Sequence, residues 1–290
     1  MRIHRRPFFG ASKRAAARRA RDLGLALAVW AAAWVLPSTA AQARAVDLEL
    51  VLAADISGSM DLEEAILQRQ GFVEALRHPE VIEAILSGPL QRIAVTYVEW
   101  AGEHYQTTLV DWTEIGDAES AAAFAKDVEA PPVTTALWTS ISTLIATAAR
   151  KFEDNGFEGE RRVIDISGDG PNNRGVYVVD ARDRAVAAGI VINGLPIVND
   201  RPGPYGLAPL PNLDFYYEDC VIGGFGAFVV VANGFADFAR AIRRKMLLEI
   251  AGPPSPPVRP GSRLHRVAER PRPPCNAGEL QIRNMMHEDY

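Results

Sequence analysis

The chain is poor in cysteine and histidine, has no apolar run long enough to cross a membrane, and past residue 43 is short of positive charge. Its 290 residues hold only two cysteines, Cys220 and Cys275. In an exported protein such a pair invites a disulfide that pins the C-terminal tail; the alternative is two unrelated thiols, with Cys220 a small core residue. Of the five histidines, His78, His104, His265 and His287 follow residue 43, and none has a catalytic context. The G-x-S-x-G elbow is absent, so a serine hydrolase is excluded. No internal repeat is present.

The apolar run Leu23–Leu36 has 14 residues, fewer than the roughly 20 that a spanning helix needs. It follows a head with eight Lys/Arg and one acid, and precedes Ala41-Gln42-Ala43. A basic head, a short apolar middle and an A-x-A end mark residues 1–43 as a secretory signal peptide, with an uncleaved membrane anchor the alternative. Arg5-Arg6-Pro7-Phe8-Phe9 is faintly similar to a twin-arginine signal, which leaves the export route open. The expected mature protein is periplasmic or secreted and has no membrane span. Leaving out residues 1–43 takes the formal charge from −5 to −12. Nucleic-acid binding, which draws most of its affinity from basic patches, is therefore not expected. Attraction of cations is.

From residue 46 strands and helices alternate. Val46–Ala54, Ile93–Ala101, Val163–Ile166, Ile190–Leu195 and Phe228–Val231 read as strands, with Tyr105–Val110 an edge strand. Leu62–Leu76 has a helical apolar stripe. Further helices are predicted over Asp117–Val128 with Asp117 as N-cap, about Ala136–Phe152, Val178–Ala188 closed by Gly189, and Phe235–Ile250. Short, nearly all-apolar strands alternating with helices predict a doubly wound, mostly parallel α/β sheet with helices on both faces. That domain covers 46–251. The Pro-rich stretches from Gly252 onward predict an extended, disordered tail over 252–290. The loop 197–224 is unusually long, and its Tyr205, Phe215, Tyr216 and Tyr217 either pack the loop or rim a ligand site.

Asp55-Ile56-Ser57-Gly58-Ser59 stands directly after the first strand and before a helix. Side chains at i, i+2 and i+4 of a tight turn converge, and Gly58 lets the backbone bend. One carboxylate and two hydroxyls form a hard oxygen cluster suited to Mg²⁺. Without a metal, the same residues serve as turn formers and helix caps.

Asp-Ile-Ser-Gly-Ser resembles the first part of the metal-ion-dependent adhesion site of von Willebrand factor type A domains. Thr135, ahead of Ala136–Phe152, and Asp169, after the strand 163–166, follow in the order that site requires. The resemblance spans about 46–250 and is closest to a bacterial exported VWA-like family of unknown function. It implies that Ser57, Ser59 and Thr135 hold Mg²⁺ or Mn²⁺, with Asp55 and Asp169 acting mostly through water. Where the family places Gly-Gly before the threonine, this chain has Pro132-Val133-Thr134, so Thr134 competes with Thr135 for that role. The resemblance implies a non-catalytic binding module for a protein or envelope partner bearing a carboxylate. A metal-dependent phosphohydrolase is the alternative, although a haloacid dehalogenase-like enzyme needs D-x-D and Ser57 occupies its second position. A metal-free structural VWA domain is a third.

Overall fold

A computed structural model describes residues 43–203, 208–252 and 270–288. All but the last residue of the expected leader, Tyr205, and residues 253–269 of the expected tail lie outside the described residues.

Strand β1 (Arg44–Asp55) lies near the middle of a six-stranded sheet because its residues are buried on both faces. The order is β3-β2-β1-β4-β5-β6, with β2 Ile93–Trp100, β3 Gln106–Ile115, β4 Phe157–Gly168, β5 Val191–Val198 and β6 Ala232–Asn233. All neighbours run parallel except β3, which pairs antiparallel with β2. The two-residue period of β1 divides its side chains between two cores. Leu48, Leu50 and Leu52 pack with Phe72, Phe124, Phe238 and Ile242. Val51 and Ala53 pack with Ile141, Leu144, Val178 and Tyr216 on the other face.

Helices α1 (Leu62–Leu76), α2 (Pro79–Leu86) and α3 (Ala118–Glu129) contribute to the first of these cores, as does α7 (Phe238–Ala251). Helices α4 (Ile141–Arg150), α5 (Val178–Ala187) and the short α6 (Leu213–Tyr216) contribute to the second. The sequence sets the helix starts by capping. Asp61 accepts from the Glu64 amide while Glu64 accepts from the Asp61 amide, a reciprocal cap that opens α1. Asp117 caps α3 as the sequence predicts.

Three expectations are corrected. The helix expected from Ala136 begins only at Ile141, because Ser140 is its N-cap and Trp138 adopts a left-handed backbone, φ +70°. The strand expected over Phe228–Val231 is reduced to a bridge from Gly194 to Val229, and the β6 pairing falls at Ala232–Asn233. The tail is not disordered to its end, since Ala277–Glu288 forms helix α8. The Pro-rich stretch stops at Pro274, and the segment beyond it buries Ala277 and Ile282. Cys220 and Cys275 are joined in a disulfide that closes 55 residues of chain. The long loop after β5 holds α6 and a π-helical turn, Tyr217–Val221. Its Tyr216 and Tyr217 are core residues, and Phe215 lies under the Arg270 guanidinium at 4.3 Å.

A buried polar cluster centres on α7. Lys245 on α7 is fully buried between Asp165 of β4 and Glu249, 2.6 Å from the Glu249 carboxylate, and Asn193 donates to Glu249 at 3.2 Å.

Candidate metal centre

The sheet register brings the chemistry together. Asp55 ends β1, and its neighbour Ala54 pairs with Ser167 of β4, so Asp169 follows just beyond the same sheet edge. Carboxyl ends of adjacent parallel strands are where open α/β sheets place their sites. The Ser57 amide donates to Asp55 Oδ1 at 2.7 Å and fixes that carboxylate. Ser57 Oγ and Ser59 Oγ are 3.0 Å apart, and the Ser59 hydroxyl donates to Asp169 Oδ1 at 2.5 Å. Asp55, Ser57, Ser59 and Asp169 therefore form one connected oxygen cluster.

Thr135 does not join it. Thr135 and Thr134 are both exposed, and the Thr134 hydroxyl lies 3.3 Å from that of Tyr105. The threonine at the site is Thr139, which is buried. Its Oγ1 and that of Ser59 lie at the same 3.9 Å from the point a side chain on Gly170 would occupy. The loop carrying it runs beside the Ser57 turn, with the Ala136 amide donating to the Ile56 carbonyl at 2.9 Å. Asn173 accepts from the Thr139 amide at 2.9 Å and its own amide donates to the Thr139 carbonyl at 2.8 Å. Asn172 accepts from the Ser142 amide at 2.9 Å. The two asparagines thus hold the Thr139 loop against Asp169, a role their turn-forming character in the sequence did not disclose.

Both carboxyl groups of the cluster are shifted by their surroundings. Burial, then repulsion from Asp169, pushes the Asp55 carboxyl well above its usual range, against hydrogen bonds from Ser57. Burial, together with the charge of Glu64, raises Asp169 to about 7, opposed by the Ser59 hydroxyl. Two carboxylates held together out of water repel, and a divalent cation relieves both penalties. Asp55 Oδ2 is buried and has no hydrogen-bond partner among the described residues, although it is a strong acceptor. This oxygen and the Tyr217 hydroxyl both crowd the space beside the Cα of Gly168. A Cβ there would fall 2.7 and 2.8 Å from these oxygens, so only glycine fits. Among the described residues no three His, Cys, Asp or Glu side chains gather into a metal site. A cation here has to be held by hydroxyls together with the two carboxylates. That all-oxygen donor set fits Mg²⁺ or Mn²⁺ and is unsuited to a soft metal.

The sheet order, the helices on both faces and the Asp-x-Ser-x-Ser turn at a strand's carboxyl end define a von Willebrand factor A-like, Rossmann-type domain. The chain belongs to the family described as Protein of unknown function (DUF1194), whose model matches residues 45–254. No curated protein matches it. Among solved structures, it is similar to proximal thread matrix protein 1 of the mussel byssus, at 13% identity and TM-score 0.51, over 71% of this chain and 46% of that one. It is similar to the pilus adhesin SpaC from Lactobacillus rhamnosus GG, at 12% identity and TM-score 0.53, over 72% of this chain and 31% of that one. A von Willebrand factor type A protein from Catenulispora acidiphila matches at 17% identity and TM-score 0.49, over 71% and 43%. The mussel protein has also been solved with a zinc-occupied MIDAS motif. The chain spans less than half the length of each of these structures, and at such identities the likeness is one of fold.

Proposed function

We propose that this protein is an exported, non-catalytic binding module that holds Mg²⁺ or Mn²⁺ on Ser57, Ser59 and Thr139, with Asp55 and Asp169 alongside, and recognises an acidic group on a protein or envelope partner. The observation that carries the reading is the connected cluster of two buried carboxylates and the Ser57 and Ser59 hydroxyls, with Thr139 lining the same pocket and one carboxylate oxygen left unpaired. When bound, the ion supplies an electrophilic centre to which a partner's carboxylate is attracted. The chain's residues set its strength. The hydroxyls are neutral donors and neutralise none of its charge, while the buried carboxylates favour its entry. Export is supported by the disulfide, a bond that persists in oxidising compartments.

A thermal-shift titration with Mg²⁺ and Mn²⁺ tests the reading. An ion bound only by the folded chain adds RT ln(1 + [L]/Kd), about 2.7 kcal/mol at a hundredfold excess over Kd. Asp55→Ala should abolish the shift and leave the EDTA-treated protein no less stable, since it removes one of two repelling carboxylates. Metal-dependent hydrolysis of a phosphoester by the wild type, lost in the same variant, would replace this reading with the phosphohydrolase. Absence of both shift and turnover would leave a metal-free structural domain.

A further inference from the structure

Beside Ser59 and Thr139 the surface opens into a cleft of about 330 Å³ lined by Gly58, Leu137, Trp138, Asn173, Gly203 and Met285. Its walls are mostly apolar, and three of its large side chains meet solvent: Leu137 is 56% exposed, Met285 36%, and Trp138 is half-buried. Exposed apolar groups gathered at one place beside a polar centre mark binding surfaces more often than chance scatter does. The cleft shares Ser59, Thr139, Asn173 and Gly203 with a small adjoining hollow of mixed lining, which includes Asp169, Arg201 and Leu210. The apolar cleft therefore directly adjoins the oxygen cluster. Over the ring of Trp138 lies the Arg174 guanidinium, 3.8 Å from its centroid, with no carboxylate partner among the described residues.

The Met285 wall comes from helix α8, which lies beyond the stretch that matches the family model. It is firmly seated. The disulfide ties its base to the π turn, and Arg270 pairs with Glu218 and Asp219. Glu279 accepts from the Asn172 side chain at 2.8 Å. Gly278 lies so close to the Asn172 carbonyl that a Cβ would stand 2.1 Å from it. The asparagine that positions the Thr139 loop thus also seats α8.

We propose that this cleft is a subsite for a bulky apolar side chain next to the partner's carboxylate, so that the partner is a protein segment in which Asp or Glu adjoins an aromatic or large aliphatic residue. This rests on the acidic-ligand reading above. The cleft's volume of about 330 Å³ admits one large side chain beside the oxygen cluster, and the unpaired guanidinium complements an acidic ligand. α8 is then part of the recognition surface.

The test uses the mature chain with ¹³C-methyl methionine in excess Mg²⁺, and three blocked tetrapeptides: Gly-Asp-Phe-Gly, Gly-Asp-Gly-Gly and Gly-Asn-Phe-Gly. The Asp-Phe peptide should bind at least tenfold more tightly than Asp-Gly and move the Met285 methyl resonance; the Asn-Phe peptide should not bind. Met285→Ala, at an exposed position that the fold tolerates, should erase most of the Phe preference while keeping the Mg²⁺-induced thermal shift. Equal affinity for Asp-Phe and Asp-Gly, or tighter binding with Met285 unmoved, overturns the subsite and leaves the metal reading intact. No thermal shift and no binding of either acidic peptide overturns both. Phenylpropionate binding as tightly as Asp-Phe would overturn the protein-segment assignment in favour of a small carboxylate.

Discussion

At the scale of residues, the threonine assignment is the sharpest point of difference between sequence and structure. Thr139→Ala should weaken Mg²⁺ binding at least tenfold in thermal-shift titration, whereas Thr135→Ala should leave the midpoint unchanged. The resemblance places the threonine at the start of a helix, and that helix starts at Ile141 rather than Ala136. Ala136 and Leu137 favour helix and suggested an early beginning. The signal that locates it is Ser140 with Thr143 three residues on, the pair that caps α4. Asp55, Ser57 and Ser59 needed no such correction, because local spacing within one tight turn fixes their convergence. A second residue-scale prediction concerns Glu249. Burial, then repulsion from Asp165, pushes it up to about 8, against the attraction of Lys245. An acid raised on folding holds a proton that the unfolded chain has already lost, so stability falls as pH rises from the ordinary carboxylate range through about 8. Glu249→Gln removes that dependence. Its stability relative to wild type, from urea denaturation in EDTA, should improve between pH 5.5 and 8.5.

At the scale of elements, α8 depends on its tether. Cys275→Ser opens a 55-residue loop, for which chain-entropy arguments give about 4 kcal/mol of lost stability. The expected result is a lower Tm and faster amide exchange over 277–288, with the β1 and β4 amides losing only the protection that the global change requires. Unchanged exchange in α8 would show that packing alone seats it. This helix was hidden in the sequence because Pro-rich composition dominates the tail, and its apolar stripe, Ala277 and Ile282, is thin. The alternating strands and helices were legible, since burial on both faces imposes continuous apolar runs and caps punctuate them. The apolar run 228–231 fits a strand pattern for the same reason. Four apolar residues satisfy a strand pattern, but Lys245 and Asn193 engage Phe228 through its ring and amide, and only a bridge remains.

At the scale of the whole molecule, β1 begins at Arg44, whose amide donates to the Gly156 carbonyl at 2.8 Å and whose side chain pairs with Glu114. A leader removed after Ala43 would leave this first strand entire. Intact-mass analysis of the exported protein should give a chain starting at Arg44 or within two residues of it, and a full-length cytoplasmic species would refute export. The chain past residue 43 carries an excess of acid and the site holds two carboxylates, so ionic strength should weaken cation entry more than it weakens the fold. Trp138 carries a different kind of information, about descent. A left-handed backbone at a non-glycine residue costs roughly 1–3 kcal/mol, yet Trp138 is only half-buried and lies outside both cores. Drift would erase such an arrangement by admitting glycine or asparagine, which adopt that conformation readily. Lineages that still use the cleft should therefore retain an aromatic residue at this position, and lineages that have abandoned it should show Gly or Asn there while their cores stay unchanged.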